Sequence, residues 1–103
     1  MKYERTDSFK RDYRRLSDNH REEFRRVVRE HFNPALDDYV RDPGHPWPPR
    51  LRIKGVAGMP AVWEMAWSFS DPDGRATWEW ISIDGEPAIR WRRIGDHSVF
   101  DRP

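Results

Sequence analysis

The strongest constraint in this chain is an alternation of tryptophans. Between Val62 and Ser70, Trp63, Met65, Trp67 and Phe69 take every second position, and Glu64, Ala66 and Ser68 fill the places between them. Arg75 to Asp84 repeats the pattern, with Ala76, Trp78 and Trp80 on one side and Arg75, Thr77 and Glu79 on the other. Ala88 to Ile94 makes a third such stretch. A period of two is the mark of a strand with two unlike faces. Asp71-Pro72-Asp73-Gly74 reads as a hairpin turn and Gly85-Glu86-Pro87 as the next turn. Leu51 to Lys54 reads as a shorter strand, with Gly55 and Gly58 marking turns. The result is a meander of three or four strands. Its tryptophan face must be covered. Its other face collects Glu64, Arg75, Glu79, Arg90 and Arg92, with Arg52 and Lys54 beside them.

The cover comes from the first half of the chain. Residues 2 to 5 suit a short edge strand. Thr6 or Asp7 can cap a helix that carries Phe9, Tyr13 and Leu16 at i, i+4, i+7. Ser17-Asp18-Asn19 breaks it, and Asn19 with Glu22 has the spacing of a capping box. The next helix places Phe24, Val27, Val28 and Phe32 on one stripe. Asn33-Pro34 reads as a cap followed by a first-turn proline, so a separate short helix is expected to run to about Arg41. The prolines between Asp42 and Pro49 demand an extended loop. The expected fold class is α+β: a single domain spanning 1–103, with N-terminal helices packed on one face of a small, mainly antiparallel sheet.

With 103 residues there is room for one core, and six Trp and five Phe fill it with little aliphatic mass. There is no cysteine, which excludes disulfides, thiolate catalysis and thiolate zinc sites. His20, His31 and His45 lack metal-ligand spacing, so no metal site is expected. No apolar run suits a signal peptide or a membrane span, and a cytoplasmic location is expected. The net charge of +1 argues against bulk coating of nucleic acid. A local cationic site is still allowed, because residues 1–32 and 49–70 hold the positive excess. Arg21, Arg25 and Arg29 form a helical stripe that reads first as a solvated face beside Glu22 and Glu30.

The open face admits two readings. Glu64 with Arg75, and Glu79 with Arg90, can be cross-strand ion pairs on a solvated surface. The alternative is a working surface, and the end of the chain speaks for it. From Ile89 to Phe100, a strand bearing Arg90, Arg92 and Arg93 runs into Gly95, and His97 and Phe100 follow. A titratable imidazole, fixed cations and a stacking ring are what a small protein needs to hold and cut RNA. Trp47, among prolines, stands apart as a cap on the core edge or a contact for a partner.

Several stretches together resemble the RelE/ParE toxin superfamily of bacterial toxin–antitoxin systems. Residues 9 to 16, Phe-Lys-Arg-Asp-Tyr-Arg-Arg-Leu, resemble the family's first helix. Leu51-Arg52-Ile53-Lys54-Gly55, Gly58 and Val62-Trp63-Glu64-Met65 resemble its entry into the sheet. Asp73-Gly74-Arg75-Ala76-Thr77-Trp78 resembles the strand that begins with an arginine. Ile94-Gly95-Asp96-His97-Ser98-Val99-Phe100 resembles the closing Gly-x-His and aromatic signature of one branch.

The resemblance implies a RelE-like fold and a ribosome-dependent mRNA endonuclease, an mRNA interferase, that inhibits translation until a cognate antitoxin neutralises it. Its implied partners are that antitoxin, the ribosome and mRNA, with no membrane and no small-molecule cofactor. Carried over, His97 is the acid or base, Arg75 holds the scissile phosphate and Phe100 stacks on a base. Arg92 or Arg93 adds a phosphate contact, with alternation placing only Arg92 on the open face. Some members carry basic residues where this chain has Glu64 and Ala66, which leaves Glu64 as an alternative base. Arg52, Lys54 and Arg90 complete the expected RNA-binding set. A ParE-like inhibitor of DNA gyrase without catalysis, or an inactive antitoxin-binding relative, are the other functions the resemblance allows.

Overall fold

The computed structural model describes residues 1–68, 73–96 and 102–103. Strand β1 (Lys2–Arg5) leads directly into helix α1 (Asp7–Arg15). Thr6 caps that helix: its Oγ1 accepts from the Phe9 amide at 3.1 Å and donates to the Arg92 carbonyl at 2.8 Å. One hydroxyl therefore satisfies a helix terminus and pins it to the sheet. Helix α2 (Asp18–Val27) starts two residues earlier than its capping-box spacing suggests. Ser17, extended at ψ 161, accepts from the His20 amide at 3.1 Å, so Asn19 lies inside the helix rather than at its cap.

The helix does not break at Asn33-Pro34. A π-helical turn, Val28–Phe32, joins α2 to helix α3 (Asn33–Arg41), and the Asn33 amide donates to the Val28 carbonyl five residues back. An α-helical proline lacks a donor and presses its ring on the carbonyl four residues earlier. The wider π turn just ahead of Pro34 accommodates both defects, so the expected break is a change of pitch. Asn33, freed from capping, accepts from the Tyr3 hydroxyl at 2.9 Å and ties the helix to β1.

The sheet has five strands in the order β1-β5-β4-β3-β2. Its members are β2 (Lys54–Val56), β3 (Met59–Ser68), β4 (Gly74–Ile83) and β5 (Glu86–Gly95). The β1–β5 pair is parallel and the other three are antiparallel, so the expected α+β class, mainly antiparallel, holds. The entry into the sheet differs from the sequence reading. Pro49–Leu51 forms a 3₁₀ turn, and Arg52 sits in the left-handed region at φ 48. Consecutive prolines offer no amides to a ladder, so pairing begins only at Lys54. Gly55 lies within β2, and Gly58, at φ 80, makes the β2–β3 turn. Phe69, and Asp71 and Pro72 of the expected hairpin turn, lie outside the described residues.

Helices and sheet meet over the indole rings. Trp78 is fully buried, with Phe32 at 5.3 Å and Trp63 stacked at 5.6 Å between ring centroids. Trp91 lies against Phe9, Phe24 and Phe32 at 5.7, 5.2 and 5.2 Å. Trp47 stacks on Tyr39 at 4.6 Å and closes the core edge. A Cβ at Gly74 would lie 2.6 Å from Cε2 of Trp67, so this position must be glycine for the β3–β4 pair to close over that ring. Among the described residues no helix is long and apolar enough to cross a membrane.

Candidate phosphate-binding face

The face away from the helices is built by register. Arg75 stands between Ala66 of β3 and Gly95 of β5, and Thr77 stands opposite Glu64. Lys54 of β2 pairs with Glu64 from the other side. Alternation thus places Arg75, Thr77, Glu79 and Glu64 together, as the sequence predicts.

Arg75 is the most constrained of these side chains. It is 6% exposed, an unusual depth for a guanidinium. Its Nη2 donates to Asp73 Oδ2 at 3.2 Å, and Arg52 Nη1 approaches the same oxygen at 3.8 Å. One carboxylate therefore clasps two cations. Arg75 Nε is buried with no hydrogen-bond partner. Among the described residues it is the one cationic nitrogen in that condition. An orphaned donor on a buried cation is costly, because its hydration is lost and nothing replaces it. An acceptor brought within reach of that nitrogen would satisfy it.

The rest of the face is neutralised locally. Lys54 Nζ lies 3.6 Å from Glu64 Oε1, and Glu64 itself is buried. Arg90 donates to Glu79 at 3.1 Å and to Glu4 at 3.1 and 3.2 Å, and Arg92 donates to Glu79 at 3.2 Å. This makes a ladder, Glu4–Arg90–Glu79–Arg92, and the expected Glu79–Arg90 pair is part of it. The bonds to Glu79 and then Glu4 push the Arg90 pKa up, so its charge is permanent. No Glu64–Arg75 ion pair forms: Glu64 turns to Lys54 and Arg75 to Asp73. Thr77, fully buried, donates to the Pro103 oxygen at 3.1 Å, and Arg92 Nε donates to it at 3.0 Å.

Arg92 and Arg93 correct the simple alternation. The ladder slips between Thr77 and Trp78, which pair with Arg93 and Trp91, so Arg92 is an extra residue. The bulge lets Arg93 join the polar side instead of pointing into the core. Arg93 reaches Asp12 of α1 with two bonds, Nε at 2.6 Å and Nη2 at 3.2 Å, and Asp12 also accepts the Ile94 amide at 3.1 Å. The bond to Asp12 raises the Arg93 pKa.

Arg75, Arg52, Glu64 and Lys54 are thus brought together, Arg90 and Arg92 are tied into the ladder, and Arg93 is tied to α1. His97 and Phe100 lie outside the described residues. Among the described residues no three His, Asp or Glu side chains gather as metal ligands. Two residues that matter here have no site role in the sequence reading. Asp73 is two positions before Arg75, and period two alone puts them on one face. Asp12 is three positions after Phe9, which places a carboxylate on the buried stripe of α1 and signals a partner across the interface.

No protein-family model matches the chain, and no curated protein matches it. Solved structures do. A YoeB/ParE toxin from Agrobacterium tumefaciens is similar over 94% of this chain and 99% of its own, at 17% identity and a TM-score of 0.58. The toxin in the intact E. coli RelBE toxin–antitoxin complex is similar over 92% of this chain and 94% of its own, at 15% identity and a TM-score of 0.52. The isolated E. coli RelE toxin is similar over 92% and 82% of the two chains, at 14% identity and a TM-score of 0.51. The chain therefore has the α+β fold of the RelE and YoeB/ParE toxins.

Proposed function

We propose that this chain is the toxin of a type II toxin–antitoxin module, acting in the bacterial cytoplasm as a ribosome-dependent mRNA endonuclease. The observation that carries the reading is Arg75, a buried guanidinium clasped by Asp73 with its Nε left unsatisfied on the face away from the helices. The fold shared with RelE and YoeB/ParE toxins supports it, and one of those neighbours is seen in a toxin–antitoxin complex. A cognate antitoxin is the corresponding partner here.

In this reading the 2′-hydroxyl of the substrate attacks the adjacent phosphorus. Its proton goes to a base, and the bond to the 5′-oxygen breaks as an acid protonates that leaving oxygen. The products are a 2′,3′-cyclic phosphate and a 5′-hydroxyl. Arg75 holds the scissile phosphate, with Nε facing an oxygen whose charge grows in the transition state. Asp73 fixes the fork beforehand, so little reorganisation is needed at the moment of reaction. Glu64 and His97 are the candidate base and acid, Phe100 stacks on a base, and Arg52, Lys54 and Arg92 follow the strand.

A binding-only reading, a ParE-like gyrase inhibitor or an inactive antitoxin-binding relative, draws on the ladder from Glu4 to Arg92, whose charges are already paired. Primer extension on mRNA in translating ribosomes separates them. The wild type is expected to leave cuts in ribosome-bound mRNA, Arg75→Ala to lower the cutting rate roughly 10²- to 10³-fold, and Arg75→Lys to stay folded with little activity, since a point charge cannot replace the fork. Growth arrest with a DNA-damage response and intact mRNA would overturn the nuclease reading.

A further inference from the structure

A cleft of about 490 Å³ opens between α1 and the end of β5. Five arginines line it: Arg11, Arg15, Arg92, Arg93 and Arg102. Among the described residues Asp12 is the one acidic side chain in its wall, and Arg93 holds both oxygens of that group. Arg92 is held by Glu79 and the Pro103 oxygen. Among the described residues Arg11 donates to the Ser8 hydroxyl and has no ion-pair partner, and neither do Arg15 and Arg102. These three are exposed, in contrast to Arg21, Arg25, Arg29 and Arg41, each of which lies beside a carboxylate on its own helix. Among the described residues Arg14 and Arg26 are exposed helical arginines without an ion pair as well, so it is convergence on one cleft that sets Arg11, Arg15 and Arg102 apart.

We propose that this cleft is a second anion site, which grips the phosphodiester backbone of single-stranded RNA beside the Arg75 site. The ligand class follows from the walls. Among the described residues they hold guanidinium groups, the Asp12 carboxylate, the hydroxyls of Thr6 and Ser8 and one proline, with no aromatic or aliphatic anchor. A docked acidic peptide needs such anchors for its affinity. A phosphate backbone needs cations and hydroxyls alone. The location follows from Arg92 and Arg93, which line the cleft and belong to the strand next to Arg75. Arg93 stands opposite Thr77, two residues along and one strand across from Arg75, or roughly 8 Å between backbone positions. Phosphates flanking the one at Arg75 would therefore fall to the cleft. The choice of RNA as the strand rests on the proposed nuclease function, whereas the anion site rests on the arginines.

Binding to a labelled, uncleavable 2′-O-methyl oligoribonucleotide, followed by fluorescence anisotropy against salt, tests this without ribosomes. The double variant Arg11→Ala, Arg15→Ala is expected to weaken binding at least tenfold. Its log affinity against log salt should be shallower by about 1.4, the value for two lost phosphate contacts on a single strand. The control Arg26→Ala, Arg29→Ala removes the same charge elsewhere and should change affinity less than threefold. Arg102→Ala, outside every helix and strand, should weaken binding in the same direction as the first variant. Equal losses in both double variants would reduce the effect to net charge and overturn the proposal. So would undiminished binding in the first, or a polyglutamate peptide that binds the cleft as tightly as RNA does. If the wild type binds the oligonucleotide through Arg11 and Arg15 but never cuts mRNA, the nuclease reading falls and the anion site stands.

Discussion

The two faces of this sheet are made by the same strands and obey different physics. Under the helices, Trp63, Trp67, Trp78 and Trp91 gain from being removed from water, and neighbours need only fill space. On the polar face, Arg75, Glu64, Glu79 and Arg92 gain from specific partners at 3.1 to 3.6 Å, and one misplaced group leaves a charge stranded. The first face tolerates approximation and supplies stability. The second supplies a fixed arrangement of donors, and it leaves one of them, Arg75 Nε, unused.

Breaking the apolar face should have the largest effect. Trp78→Ala removes a fully buried indole from between Phe32, Trp47 and Trp63. The expected loss is about 4 kcal/mol, read from urea unfolding, because the surrounding rings cannot collapse into the space. A loss below about 1 kcal/mol would mean that this face is not the core.

The same test on the polar face should give a smaller number. Glu79→Gln keeps the shape and removes the charge that Arg90 and Arg92 share. Both arginines retain solvent access, and Arg90 keeps Glu4, so the expected cost is about 1 kcal/mol and should shrink further in 1 M salt. A loss as large as that of Trp78→Ala would erase the distinction between the faces.

That distinction also explains what could be read before coordinates. The tryptophan face was legible because burial follows period, and the period of two is written in Trp63, Met65 and Trp67. The cap of α1 was legible to within one residue, Thr6 or Asp7, because a short polar side chain before an apolar stripe has few other uses, and the structure selects Thr6. The π turn was not, since Asn33-Pro34 signals a start as readily as a change of pitch. Arg52 reads as a strand residue because its neighbours alternate, although the prolines before it delay pairing to Lys54. On the open face, period sorted the charges but did not pair them. Glu64 chose Lys54 over Arg75 through register, since Lys54 stands directly opposite it and Arg75 lies diagonally across, and Arg93 found Asp12 because a bulge turned it. The cleft of arginines needed three segments far apart in sequence to meet.

The boundary between the two regimes can be sharpened at Tyr3, where one side chain serves both. Its ring stacks on Trp91 at 5.9 Å, and its hydroxyl donates to Asn33. Burial first, and the Asp37 charge second, push its pKa above the ordinary tyrosine value of about 10. Above pH 10 an unfolded tyrosine gives up its proton while the folded one keeps it. The folded state then binds more protons, so the stability present below pH 10 declines as pH rises toward the folded value. Tyr3→Phe keeps the stack and deletes the proton. At neutral pH it should cost only about 0.5 kcal/mol, the net worth of the bond to Asn33. In urea unfolding between pH 9 and 11, the wild type should lose its advantage over Tyr3→Phe as pH climbs. A gap that stays constant across that range would show that the phenol titrates alike in both states, and that Tyr3 acts by packing alone.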